Sequence, residues 1–265
     1  MKNRDLKTEN GVKERPGAEI CSITSVIRSI TPATRSITPA IRGITLTLML
    51  LAGFWVEMTL AQMTDDGEFQ IARIEYRGGG DWYNDPSSLT NLIQFVKDEG
   101  IPIPVSSTYD DVQIGSSDLH NYPFAFLTGH GTITVNDSEV SNVRRWLDNG
   151  GFLYIDDDYG LDEYARMLIS RIYPDEELIE IPFEHPIYHQ VYSFPDGLPK
   201  VHEHDGLPPQ GFAVFHNGRM AIFYTYESNL ADGWAYDVHS NPQEIVDASL
   251  QMGVNLLVYA LTSIE

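Results

Sequence analysis

Residues 123–158, PFAFLTGHGTITVNDSEVSNVRRWLDNGGFLYIDDD, carry the pattern that decides the fold. Pro123–Thr128 is a short, wholly apolar run, as expected of a central strand covered on both faces. Asn136 can then cap a helix, with Glu139 three residues on as in a capping box. Val140, Val143 and Leu147 give that helix one buried stripe, and Asn149-Gly150-Gly151 stops it. Phe152–Ile155 is a second apolar strand. Two buried strands joined by an amphipathic helix form the unit of a parallel sheet.

The same alternation extends in both directions. Upstream, Phe69–Tyr76 reads as a strand. Leu89, Leu92, Ile93 and Val96 fall on one face of a helix. Gly100 ends it, and Ile103–Ser107 forms the next strand. Downstream, Leu161, Ala165, Leu168, Ile169 and Ile172 mark a helix, and Leu178–Ile181 a fifth strand. Asn217-Gly218 between Phe212–His216 and Met220–Tyr226 is a strong hairpin signal. Asn241-Pro242 opens a long helix, roughly 242–261. The expected fold is α/β: a three-layer, mainly parallel sheet with helices on both faces, plus a C-terminal β-hairpin and long helix. It forms a single domain over residues 68–262.

Charge is distributed unevenly. Residues 1–61 hold eight of the 17 basic and five of the 38 acidic residues, so the remainder carries −24. Such a surface repels phosphate backbones, which argues against nucleic acid as a partner. Residues 44–56 (ITLTLMLLAGFWV) are uncharged and follow Arg28, Arg35 and Arg42; Thr59-Leu60-Ala61 resembles a cleavage site. Residues 44–61 therefore read as a signal-peptide core, with a retained membrane anchor as the alternative. Residues 1–43, with a seven-residue Ile/Thr/Pro repeat, read as a disordered n-region. The expected location is exported, periplasmic or extracellular, with the membrane touched only through an uncleaved leader. Cys21 is the one cysteine. Residues 68–262 thus contain no disulfide, thiolate metal site or cysteine nucleophile.

In an open parallel sheet, ligands bind beyond the carboxyl ends of the strands. Four unusual segments follow four expected strands: Gly78-Gly79-Gly80-Asp81-Trp82-Tyr83, Gly129-His130-Gly131, Asp156-Asp157-Asp158 and Glu184-His185-Pro186. The glycines fit neither a Walker loop nor a dinucleotide fingerprint. A tight turn carrying Trp82 and Tyr83 onto the rim suits them better, with a stacked carbohydrate or other polar ring as the alternative. His130 has the chemistry of a general base or a metal ligand, against a plain turn role. Three adjacent aspartates repel one another, and a divalent cation at Asp156, Asp157 or Asp158 would relieve that; helix capping is the simpler role. No other cofactor is expected. His185 fixes a turn or joins the rim. His202-Glu203-His204-Asp205 lacks His-Glu-x-x-His spacing and reads as a solvated loop.

Tyr76–Tyr83, Phe126–Gly131, Gly150–Asp157, His185-Pro186 and Gly253–Thr262 together resemble a bacterial family labelled a domain of unknown function. The resemblance implies a flavodoxin-like, class I glutamine-amidotransferase-like fold and an exported or membrane-associated setting, with no established activity. Cysteine-based amide hydrolysis is excluded by composition, and no Gly-x-Ser-x-Gly elbow occurs. Two functions follow as expectations. The first is a binding or scaffold module of the cell envelope for an unidentified ligand or protein. The second is a hydrolase of a sugar or peptide-like envelope substrate, with His130 as base and Asp157 or Asp156 orienting it or holding a cation.

Overall fold

The computed structural model describes residues 67–263. The expected n-region, the signal-like run and Cys21 lie outside them. In chain order the elements are β1 (Phe69–Glu75), α1 (Ser88–Asp98), β2 (Val105–Gln113), β3 (Phe124–Leu127), α2 (Asp137–Asp148) and β4 (Phe152–Asp156). They continue with α3 (Asp162–Ile172), β5 (Ile179–Glu180), β6 (Gln210–His216), β7 (Arg219–Tyr226), α4 (Leu230–Trp234) and α5 (Gln243–Thr262).

Seven strands form one sheet in the order β2-β1-β3-β4-β7-β6-β5. The first five in that order run parallel, β6 is antiparallel to β7, and β5 is antiparallel to β6. The fold is three-layer α/β, as the alternation predicts. Strand periodicity builds both layers. Phe124, Phe126, Phe152 and Tyr154 point to the face covered by α1, α4 and α5, whereas Ala125, Leu127, Leu153 and Ile155 point to α2 and α3.

Local chemistry explains the boundaries. Asn136 Oδ1 accepts the amides of Ser138 and Glu139 at 2.9 and 3.0 Å, and Glu139 returns a carboxylate to the Asn136 amide at 2.7 Å. That reciprocal cap is worth about 1 kcal/mol. β2 differs from expectation: it runs to Gln113 because pairing with β1 continues through Val112. It is an outer strand, so Thr108, Asp110 and Asp111 face solvent and the apolar alternation fades. Among the described residues, α5 alone has the length and apolar composition of a membrane span. It is buried here, with Met252, Val254, Leu256 and Leu257 fully covered. Asn255 on α5 accepts the amides of Val191 and Tyr192 and donates to the Tyr192 carbonyl, fastening the 186–194 segment over it.

Candidate functional site

The chain reverses its direction of growth across the sheet between β1 and β3, and a crevice lies beyond the carboxyl ends of the strands near that switch point. Glycine lets the loops after β1 and β3 interlock there. A Cβ on Gly129, at φ +131°, would lie 2.4 Å from the Tyr76 hydroxyl and 3.0 Å from the Asp81 backbone. Gly80 donates its amide to the Thr132 carbonyl. The close approach sets His130 against Asp81. The His130 amide donates to Asp81 Oδ1 at 2.6 Å, and Nδ1 lies 3.1 Å from Oδ2. Burial alone would raise the Asp81 carboxyl, but the His130 amide and imidazole outweigh it and hold the group below its usual value. On the other side of the ring, Nε2 lies 3.3 Å from Asp158 Oδ1.

β4 splits the aspartate triplet by strand alternation. Asp156 turns toward α4, accepting from the Thr225 hydroxyl at 2.5 Å and the Ala231 amide at 2.8 Å. Asp157 turns toward α3, where Oδ1 accepts the Leu161 amide at 2.9 Å. Burial pushes both carboxyls up to about 7. Only Asp158 opens into the crevice. The expected pair of His130 with Asp157 is therefore not formed; Asp81 and Asp158 hold the histidine instead.

The crevice is a cleft of about 530 Å³. Beyond His130 and Asp158 its wall includes Asp85, His202, His204, Asp232 and His239. His202 Nδ1 is 2.5 Å from Asp232 Oδ2, and His239 Nε2 is 2.6 Å from Asp85 Oδ1 and 3.5 Å from Asp232 Oδ1. Asn229 donates to both Asp158 and Asp232 at 2.9 Å, and Asn84 donates to Asp158. Asp85, Asp158 and Asp232 are buried. Burial, then a contact with Asp85 and the charges of its acidic neighbours, raises Asp232; burial also lowers His202 and His204.

The backbone is strained around this wall. Of five non-glycine residues at positive φ among those described, Asp85, Tyr159 and Asn229 line or support the cleft, and Glu227 anchors its loop. Such conformations cost of order 1–3 kcal/mol each and persist where the surroundings impose them. Glu227 is fully buried and binds the Lys200 ammonium and, at 2.5 Å, the Asp205 amide. That clamp delivers His202 and His204 to the cleft. The His202–Asp205 segment is a loop without helix, as read, but its two histidines are half-buried site residues rather than solvated ones. In extended chain, positions two apart share a side, which was the one signal available for them. Asp232 and His239 had none.

Other expected rim residues sit elsewhere. Trp82 is half-buried against the α2/α3 layer, with the Arg73 guanidinium 5.3 Å from its ring centroid. Tyr83 and Gly79 are exposed beside it, and Gly131 adjoins His130. His185 leaves the rim altogether. Its ring packs against Phe215 and Tyr259 near the amino ends of the parallel strands, and Nδ1 accepts the Ile187 amide. The chain after β5 crosses the face of the sheet instead of ending at the crevice.

A search of curated proteins finds no match for the chain. One family model does match, over residues 70–261, which takes in every element from β1 to α5 and every cleft residue named above. The chain belongs to the family described as a domain of unknown function, DUF4159.

Proposed function

We propose that the protein is an exported hydrolase of a sugar or peptide-like envelope substrate, with His130 as the proton-transferring group. The observation that carries this reading is His130 at the wall of a concave cleft, held by Asp81 through both its amide and Nδ1. A carboxylate on Nδ1 fixes the tautomer whose basic lone pair is on Nε2, which stands at the cleft wall 3.3 Å from Asp158 Oδ1. A water entering the cleft would lose a proton to Nε2, and its oxygen would bond to the electrophilic carbon. The bond to the leaving group would break, and that group would take the proton back from Nε2.

The alternative, a binding or scaffold module, calls for a shallow rim whose polar groups are tied up by backbone. The backbone strain around the cleft and its unpaired buried acceptors favour chemistry over passive contact. Export rests on the signal-like run at 44–61.

The test is turnover by the full-length protein on envelope-derived glycan and peptide fragments, resolved by mass spectrometry. Wild type should release product. His130→Ala and Asp81→Asn should lose at least ~100-fold in rate, as expected for a general base and its orienting group, with unchanged circular dichroism. Turnover that survives His130→Ala would refute the reading, and so would a wild type inert on the whole panel.

A further inference from the structure

The cleft wall beyond His130 brings together further histidines and aspartates that proton transfer by that histidine does not use. One ring nitrogen of His202, one of His239 and one oxygen of Asp232 lie within 4.8 Å of one another, and so do single oxygens of Asp85, Asp158 and Asp232. Asp232 belongs to both sets. We propose that Asp232, His202 and His239, with Asp85 beside them, bind one divalent transition-metal ion, with zinc the favoured species.

Three observations converge on a cation. First, Asp85, Asp158 and Asp232 are 6%, 3% and 2% exposed, yet their ion-pair partners are all histidines, and among the described residues no lysine or arginine reaches them. Three buried carboxylates so close together repel strongly unless positive charge lies among them or one of them holds a proton, and a bound cation supplies that charge. Second, Asp85 Oδ2 is buried without a hydrogen-bond partner, and so are the side-chain oxygens of Asn84 and Asn229. These atoms are acceptors, so a donor or a cation satisfies them. Third, the donor atoms are close to a coordination geometry. The His202–Asp232, His239–Asp85 and His239–Asp232 separations are 2.5, 2.6 and 3.5 Å. Tetrahedral ligands at zinc's ~2.0–2.1 Å bond length stand about 3.4 Å apart, so shifts of about an ångström suffice.

The donor types choose the metal. Two imidazoles with a carboxylate suit zinc and related first-row ions. Magnesium and calcium take oxygen ligands and would leave both imidazoles unused. None of Asp156, Asp157 or His185 takes part. The proposal deepens the hydrolase reading only in its catalytic use, which rests on that reading: a bound ion would lower the pKa of water beside His130. Ion binding itself stands without it.

Isothermal titration of the chelator-stripped full-length protein with zinc chloride tests the site without any substrate, so its outcome is independent of turnover. One ion per chain should bind, and His202→Ala or His239→Ala should weaken binding by at least ~100-fold, at or beyond the ~10–100-fold typical of outer-sphere partners. Asp232→Asn, which removes a buried like charge, should keep the fold and lose zinc equally, guarding against an alanine variant that fails to fold. Magnesium and calcium should give no comparable binding. Zinc uptake that persists in Asp232→Asn and in the folded histidine variants would overturn the proposal, as would no uptake by wild type, or magnesium or calcium bound as tightly as zinc.

Discussion

The two ends of the sheet contain the same ingredients and use them differently. At the amino end, His216 lies 2.8 Å from Glu176 and 3.5 Å from Asp148, and stacks on Tyr173 at 4.6 Å. Arg219 closes that cluster, donating to the carbonyls of Leu147 and Gly151 at the end of α2. Charges are balanced, acceptors are filled and the carboxylates are partly solvated. At the carboxyl end, histidines and carboxylates meet without lysine or arginine, except at the Glu227 clamp behind the wall. Among the described residues, four of the five buried side-chain atoms lacking a hydrogen-bond partner belong to Asn84, Asp85, His204 and Asn229 there. Stability accounts for the first cluster. The second costs stability, the usual signature of a site kept for binding or chemistry.

The contrast can be broken first at the backbone. Gly129→Ala should lose about 4 kcal/mol, combining a conformation that side chains rarely adopt with a Cβ forced onto Tyr76 and Asp81. Urea denaturation measures it. A loss under 1 kcal/mol would mean that the β1 and β3 loops are free to separate.

Lys200→Met should cost about 3 kcal/mol, because it leaves the buried Glu227 without its partner. The same pair sets an acid response. Burial would raise Glu227, but Lys200 and the amides of Asp205 and His204 outweigh it, so its carboxyl is depressed in the folded state. A depressed carboxyl contributes fully above its unfolded value of about 4.5 and is lost as pH falls through the lower folded value. The stability that wild type holds over Lys200→Met should therefore shrink below about pH 4.5. Identical profiles would remove the clamp from the account.

A paired substitution sharpens the comparison at smaller scale. His216→Ala should destabilise by about 1–2 kcal/mol through lost stacking and ion pairing. His130→Ala should cost less, under about 1 kcal/mol, since its ring is half exposed and Asp158 keeps its bonds from Asn84 and Asn229. Reversed magnitudes would assign the structural histidine to the wrong end.

The fold was legible where burial is symmetric. Phe124–Leu127 and Phe152–Asp156 are covered on both faces, so unbroken apolar runs betrayed them, and the Asn136–Glu139 cap fixed α2. β2 was partly misread because an outer strand faces solvent. Half of the site was legible: Asp81, His130 and Asp158 follow strands that end at the crevice. His202, Asp232 and His239 arrive from segments whose position depends on the Lys200–Glu227 clamp and on packing of α4 against α5. Sequence spacing contains neither. Likewise, Asp156, Asp157 and Asp158 look equivalent in one dimension, and only the alternation of β4 sends Asp157 away from His130.

The central claim is that the carboxyl-end cluster is held at a cost. The most direct measurement is the thermal midpoint of the metal-free protein after Asp85→Asn, alongside Asp148→Asn at the amino end. Relief of like-charge repulsion should raise the first by a few degrees, about 2–4 °C per kcal/mol for a domain of this size, while loss of the His216 partner lowers the second. A lower midpoint in Asp85→Asn as well would mark the buried aspartates as ordinary scaffolding and contradict the account.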